Sequence, residues 1–553
     1  MGKQDIAAAL KLLFDVDDDV VKKFREFVES GRAMEIKETI LHSLKNGGRI
    51  FFTGCGSTGR LSILLDSVWR DFWRQSGNTD FKNRTFSVMA GGDYALIKSV
   101  EGFEDFTAFG KKLISDLDVS TKDVVFAITE GGETSYVIGT AWGGVETGAK
   151  VYFVYNNPDE ILCKHVQRSR EVIQDSRIEK INLTTGPMAI TGSTRMQATS
   201  IQLCMMLTVL EMVVRDLTGV ESASVPKIFL KKLEALHATL KSPEVLAQLA
   251  KLVALEESVY RSGHKNNYFA DRLGIDVLTD TTERSPTYCT PPFRKFDDAA
   301  AAESWAFLFL PQKETSQAWE QIIKRKPRCV EWNENEVRGL VEEDKFARTM
   351  ETVRKISRAE LMRFRVGLDG LPQRVLKNGD SAIAIVAENE DSAFFQVQLE
   401  AAQKSGAKTG LICFEKAERG KGKAEASQSL VTSSATIVLP RTDFLLDGVT
   451  RVAVKLVMNA ISTCTMVRLG RVMGNYMIYV VPSNLKLIDR ATRYISKLTD
   501  LSYKAANELL FEVIEYVEPR MKSDQAYPPV VGMAVLRAKE NLSNTEAEKK
   551  LSQ

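Results

Sequence analysis

The chain has 553 residues, 44% of them hydrophobic and 26% charged, with a formal net charge of +2. That length exceeds one ordinary core and predicts two or three domains, while the near-balance of charge excludes a strong pull toward nucleic acid or an anionic membrane. Seven scattered cysteines without a CxxC pair suit reduced thiols in a cytoplasm, and four unclustered histidines give no His-based metal site.

Residues 1–47 read as helices, with apolar residues at helical spacing around VVKKFREFVESGRAMEIKETILHSL. The opening MGKQDIAAALKLLFDVDDD turns acidic where a signal peptide needs an apolar core and a cleavage site. Four apolar β-type runs follow, RIFFTG, RTFSVMAG, DVVFAIT and KVYFVYN, separated by helical stretches. This alternation predicts a parallel sheet covered on both faces. The most apolar helix, SIQLCMMLTVLEMVV, is broken by Glu211 and is too short to span a bilayer comfortably. LTGVESASVP (217–226) reads as a linker, and the pattern then restarts.

The restart is a repeat. KDVVFAITEGGETSYVIGTAWGGVETGAKVYFVY is matched by GDSAIAIVAENEDSAFFQVQLEAAQKSGAKTGLIC, and TGSTRMQATSIQLCMMLTVL by DGVTRVAVKLVMNAISTCTM. The expected fold class is α/β: N-terminal helices (1–47), two three-layer α/β/α domains with parallel sheets (48–218 and 227–497), and a helical C-terminal tail (498–553). The charged stretch EKAERGKGKAEASQS (415–429) reads as a solvated loop.

Gly54, Gly56 and Gly59 in FFTGCGSTGRLSILL fit G-x-G-x-x-G between a strand-like and a helix-like run. A dinucleotide site wants an acid at the end of the second strand. Here Asp93 comes late, in a turn-like GGD, and no Walker lysine follows the glycines. Ser57 and Thr58 at the helix start suit a phosphate monoester, which backbone amides and the helix dipole would favour; capping explains them about as well on this segment alone. GPMAITGSTRMQA then places Ser193, Thr194 and Arg195 before a second helix, and ITEGGETSYV places Thr129, Thr134 and Ser135 before a third. Three hydroxyl turns in one domain exceed what capping needs.

GCGSTGRLSIL, AGGDYALIKSVEGFED and ITGSTRMQA, in this order, resemble the sugar isomerase (SIS) domain family that includes the N-acetylmuramic acid 6-phosphate etherases and the glucokinase regulatory protein. The likeness resumes in LGRVMGNYMIYVVPSNLKLIDRA (469–491). Two fused SIS domains with a helical tail match the regulatory protein; the etherases carry one domain per chain. The resemblance implies a phosphosugar site formed by Gly56, Ser57, Thr58, Thr129, Ser193 and Arg195, with Lys486 reaching in from the neighbouring domain. It assigns Glu104 to the etherases' base. Their second acid lies in D-x-[SV]-E-x-x-x-T-[YF]. LTDTTERSPTY carries it as Glu283, while in LLDSVWRDF Val68 stands in its place. The expected site is therefore composite, and Val449 where the first repeat has Ser193 leaves the second repeat's own pocket degenerate.

Gln197 replaces a usual lysine after R-M, and Glu130 and Glu133 bring negative charge to the third turn; both point away from an ordinary etherase substrate. The implied function is binding of a phosphorylated hexose or amino sugar, with a sugar kinase as partner, in the cytoplasm and without cofactor, metal, nucleic acid or membrane. An etherase-type lyase, with Glu104 and Glu283 as the catalytic pair, is the alternative, and a phosphosugar isomerase ranks third.

Overall fold

In the computed structural model, residues 5–100, 102–416, 430–482, 485–522 and 527–551 are described. Most of the charged stretch 415–429, and Glu101, lie outside them. Two five-stranded parallel sheets organise the chain. The first contains β1 (Ile50–Gly54), β2 (Thr85–Met89), β3 (Val124–Ile128), β4 (Lys150–Tyr155) and β5 (Ile178–Asn182), in the order β2-β1-β3-β4-β5. The second contains β6 (Asn266–Phe269), β7 (Ala306–Phe309), β8 (Ser381–Ala387), β9 (Lys408–Lys416) and β10 (Ser433–Leu439), in the order β7-β6-β8-β9-β10. The permutation is the same in both, as duplication requires.

The four apolar runs form β1 to β4. β5 adds a fifth strand that those runs did not include. It sits at the sheet edge, where only Ile178 and Ile181 are buried. An edge strand lacks the continuous apolar run that marks a strand covered on both faces.

Helices Ile6–Val16, Asp18–Glu29 and Arg32–Lys45 precede the first sheet. The Gln197–Leu217 helix packs against the second and third of these, and against its counterpart in the other repeat, Gly448–Arg468. This contact on several sides explains its composition. It is long and apolar enough to cross a membrane, but its apolar stretch is wholly buried within the protein. Glu211 does not break it: its carboxylate pairs with Arg215 at 2.8 Å and accepts from the amides of Leu445 and Leu446, each at 2.9 Å.

The duplication extends to side chains. On the Ser57–Gln75 helix, Asp66 pairs with Arg70 at 2.7 Å; on the Gly274–Tyr288 helix, Asp280 pairs with Arg284 at 2.8 Å. Both pairs are buried and spaced i,i+4. Counted from these aspartates, the first repeat's residue in the slot of Glu283 is Trp69, not Val68. Trp69 is fully buried and donates its indole N–H to Phe81 O at 2.7 Å, so that slot serves the core.

Helices Leu485–Thr499, Tyr503–Lys522, Val530–Glu540 and Asn544–Leu551 close the chain. The first of them reaches the Ser193 turn. Tyr494 donates to Thr191 O at 2.5 Å, and Thr191 N donates to Asn475 O at 2.8 Å.

Candidate functional site

The strand order of the first sheet reverses beside β1, which opens a crevice between the loops after β1 and β3. Ligands of open α/β sheets bind at such switch points. Gly56 makes the first loop's turn at φ +56, a left-handed conformation that glycine adopts without steric cost. Thr58 serves the turn itself: its hydroxyl donates to Cys55 O at 3.0 Å and accepts from Cys55 N at 3.1 Å. Ser57 points elsewhere. Its hydroxyl donates to Glu283 Oε2 at 2.5 Å, and the other oxygen of Glu283 accepts from Arg60 Nη1 at 2.8 Å. Arg60 is fully buried and also donates Nε to Thr282 Oγ1 at 3.1 Å. Glu104, on a short 3-10 helix, lies beside the same turn, with Cys55 Sγ 3.6 Å from its Oε2.

Thr129, at the end of β3, is buried, with its hydroxyl 3.3 Å from that of Thr134. Its carbonyl accepts from Gln202 at 3.0 Å, which ties the third turn to the Gln197–Leu217 helix. Ser193 is buried too, and its hydroxyl has no hydrogen-bond partner among the described residues. Neither have Arg60 Nη2 and Arg195 Nε. Buried donors without acceptors are uncommon in folded proteins, because each costs about 1–3 kcal/mol.

Arg195 joins the repeats. Its guanidinium pairs with Asp280 at 3.1 Å and donates to Ser462 at 2.8 Å and Thr463 at 3.2 Å. With Ser57, Glu283, Asp280, Lys455 and Asn459 it lines a cavity of about 40 Å³ between the repeats. Lys455 Nζ donates to Arg195 O at 2.6 Å, and Asn459 donates to the same carbonyl at 3.1 Å. Burial, reinforced by the Arg195 charge, pushes the Lys455 ammonium down to about 8.

Residues 32–141 match the N-terminal SIS domain of the glucokinase regulatory protein. That match places residues 32–141 in the SIS-domain family. The N-acetylmuramic acid 6-phosphate etherase of Clostridioides difficile (strain 630) is 33% identical over 216 residues, 38% of this chain and 65% of that protein. The etherase of Francisella tularensis subsp. novicida (strain U112) is 32% identical over 205 residues, 36% of this chain and 63% of that protein. The chain thus spans just under two thirds of the length of these relatives. The tagatose-6-phosphate ketose/aldose isomerase structure from Escherichia coli aligns with 82% of this chain and 92% of its own, at 10% identity and a TM-score of 0.41.

Of the residues singled out from the SIS motifs, Ser57, Arg195 and Glu283 meet at one cavity, and Glu104 stands at the glycine turn. Lys486 lies on the Leu485–Thr499 helix that docks against the Ser193 turn through Tyr494; its side chain lies outside the described residues. Gln197 does not line the cavity. It accepts from Ala189 N at 2.9 Å and donates to Asp17 at 2.6 Å, so it anchors the N-terminal helices. Lys455, Asp280 and Asn459 escaped the sequence reading. The lysine flanked by apolar residues in VAVKLVM was the available signal, since lysine is uncommon in such a run without a specific partner.

Proposed function

We propose that this SIS-domain chain binds a phosphorylated hexose or amino sugar in the crevice between β1 and β3, at a composite site, as a binder in the manner of the glucokinase regulatory protein. The observation that carries this reading is the Ser57–Glu283 hydrogen bond. It joins the glycine turn of one repeat to an acid of the other, over a cavity walled by Arg195 and Lys455. A cavity of about 40 Å³ holds only a few waters. The sugar therefore sits above it, with its phosphate on the hydroxyl turns, and a sugar hydroxyl replaces Ser57 on Glu283. Ser193, buried with a hydroxyl that has no partner among the described residues, supplies a donor for the phosphate.

Both oxygens of Glu283 already act as acceptors, toward Ser57 and Arg60. That arrangement suits a carboxylate holding a hydroxyl better than an acid delivering a proton, so binding ranks above lyase chemistry. The bound sugar phosphate would then set affinity for a sugar kinase in the cytoplasm. We further propose the division 1–47, 48–218, 227–497 and 498–553 as the functional units.

Lactate elimination of the etherase kind is the second reading, favoured by Glu104 beside the glycine turn and by the etherase relatives. A thermal-shift screen of hexose and N-acetylhexosamine 6-phosphates tests the first reading, because a ligand of the native state raises its melting point by mass action. Absence of any shift, with calorimetry silent as well, would overturn it.

A further inference from the structure

The second sheet has its own switch point, between the loops after β6 and β8. Strand register aligns it with the first: Ile50 pairs with Val124, and Asn266 pairs with Ser381. Counting forward, Arg272 takes the place of Gly56, Ala387 that of Glu130, and Glu390 that of Glu133. The loops after β3 and β8 share a kink, with Gly132 at φ +75 and Asn389 at φ +65.

Their contents differ. Glu390 Oε1 accepts from Arg272 N at 2.6 Å, and its Oε2 accepts from Ala387 N. One carboxylate thus bridges main-chain amides from the two loops that form the crevice, just before the Ala393–Lys404 helix. In the first repeat, Glu133 is held through its main chain instead, its carbonyl accepting from Arg168 Nε at 2.5 Å. The cations around the second crevice are matched internally: Arg272 pairs with Asp447, and Arg451 with Asp276. Val449 offers no hydroxyl where the first repeat has Ser193.

We propose that Glu390 is a built-in anion that occupies the second repeat's oxyanion cradle, and that removing it uncovers a site for a small oxyanion, phosphate or carboxylate. Convergent backbone amides ahead of a helix favour negative charge whatever its source. The carboxylate of Glu390 holds that position permanently, which turns a ligand site into a structural joint. This assignment stands whatever the first crevice binds.

Thermal unfolding of full-length wild type, Glu390→Ala and Glu390→Gln tests it, in inorganic phosphate, in acetate, and in chloride at equal ionic strength. Any response of the first crevice is common to all three proteins. Glu390→Ala is expected to melt below wild type in chloride. Phosphate or acetate should then give it a saturable recovery at least about 2 °C beyond the wild-type shift. Glu390→Gln, which keeps the crevice filled with a poorer acceptor, should melt lower than wild type without that recovery. Equal anion responses in all three proteins overturn the proposal. Should Glu390→Ala fold only in phosphate or acetate, that outcome supports it. Should it fold in no medium, Glu390→Gln decides: a melting point equal to wild type overturns the proposal, and a lowered one upholds it.

Discussion

Ser57 Oγ donates to Glu283 Oε2 at 2.5 Å across 226 residues of sequence. The contact sets the glycine turn of one repeat against an acid of the other, and Arg60 secures that acid from the turn's own helix at 2.8 Å. Fusion of two repeats in one chain thus holds the glycine turn and Glu283 in fixed register. A ligand that engages Ser57 must also deal with Glu283.

Ser193→Ala separates ligand binding from stability. The Ser193 hydroxyl is buried without a partner among the described residues, so its removal should leave the melting point of the empty protein unchanged or slightly raised. Sugar-phosphate affinity should fall by about 1–3 kcal/mol, because the phosphate loses a donor. Calorimetry finding equal affinity would remove Ser193 from the site.

A composite site also fixes stoichiometry. One sugar phosphate should bind tightly per chain, not two, and Glu283→Ala should weaken that single event. Ser57→Ala and Glu283→Ala should be non-additive, with a coupling of about 0.5–3 kcal/mol, as for groups in direct contact. Two equivalent sites in a titration, or strictly additive losses, would refute the composite arrangement.

Asp280 holds two buried guanidinium groups, Arg195 at 3.1 Å and Arg284 at 2.8 Å, and accepts from Ser462 at 2.9 Å. Asp280→Ala would take the carboxylate from Arg195 and leave Arg284 with Glu256, 3.3 Å away. Loss of one partner from a buried ion pair commonly costs about 3–5 kcal/mol, so the thermal midpoint should drop sharply. A midpoint within error of wild type would mean that water reaches the Arg195 guanidinium.

The sequence exposes local geometry better than contacts between repeats. GCGSTG reads as a strand–turn–helix element because glycine spacing and hydroxyls act within six residues, and the duplication is legible because each repeat preserves its turns. Thr58 illustrates the limit: its hydroxyl is consumed inside the turn, while adjacent Ser57 crosses to the other repeat. Composition does not distinguish the two. Lys455, Asp280 and Glu390 matter through partners 260, 85 and 118 residues away, distances at which no periodicity operates. Gln197 was legible as a departure from the SIS motif, but its partner Asp17 lies in a separate helical segment.

Asp17 supplies a pH signature. Burial pushes its carboxyl up to about 7 from 3.8, against the opposing hydrogen bond from Gln197; Lys455, Asp18 and Lys241 also act on it. The folded state therefore holds this proton more tightly than the unfolded chain, so the group's contribution is complete below about pH 4. It is lost as pH rises toward 7, where the folded protein must bury a charge. Asp17→Asn removes this loss, so its stability relative to wild type should grow from pH 4 to 7 and stay higher at pH 8. The gain should be on the order of a few kcal/mol. Chemical denaturation at several pH values reads it, and a constant difference between the two proteins would show that Asp17 titrates normally.

Glu104→Gln separates a binder from a lyase. Elimination of lactate requires a base to take a weakly acidic proton next to the bond that breaks. Glu104, beside the glycine turn, is the carboxylate placed for that task in the etherase reading. An amide cannot accept the proton, and loss of a catalytic base commonly slows a reaction by about 10²–10⁴-fold. If the chain is a lyase, the wild type releases lactate from N-acetylmuramic acid 6-phosphate, and Glu104→Gln stops that release while ligand still binds. If it is a binder, the wild type releases none, and Glu104→Gln only lowers affinity by the value of one hydrogen bond, about 0.5–1.5 kcal/mol. The acceptor-only arrangement of Glu283 and the absence of a lysine at position 197 favour the second outcome. Steady lactate production by the wild type, abolished in Glu104→Gln, would reverse the order of the two readings and give Glu104 the role of base.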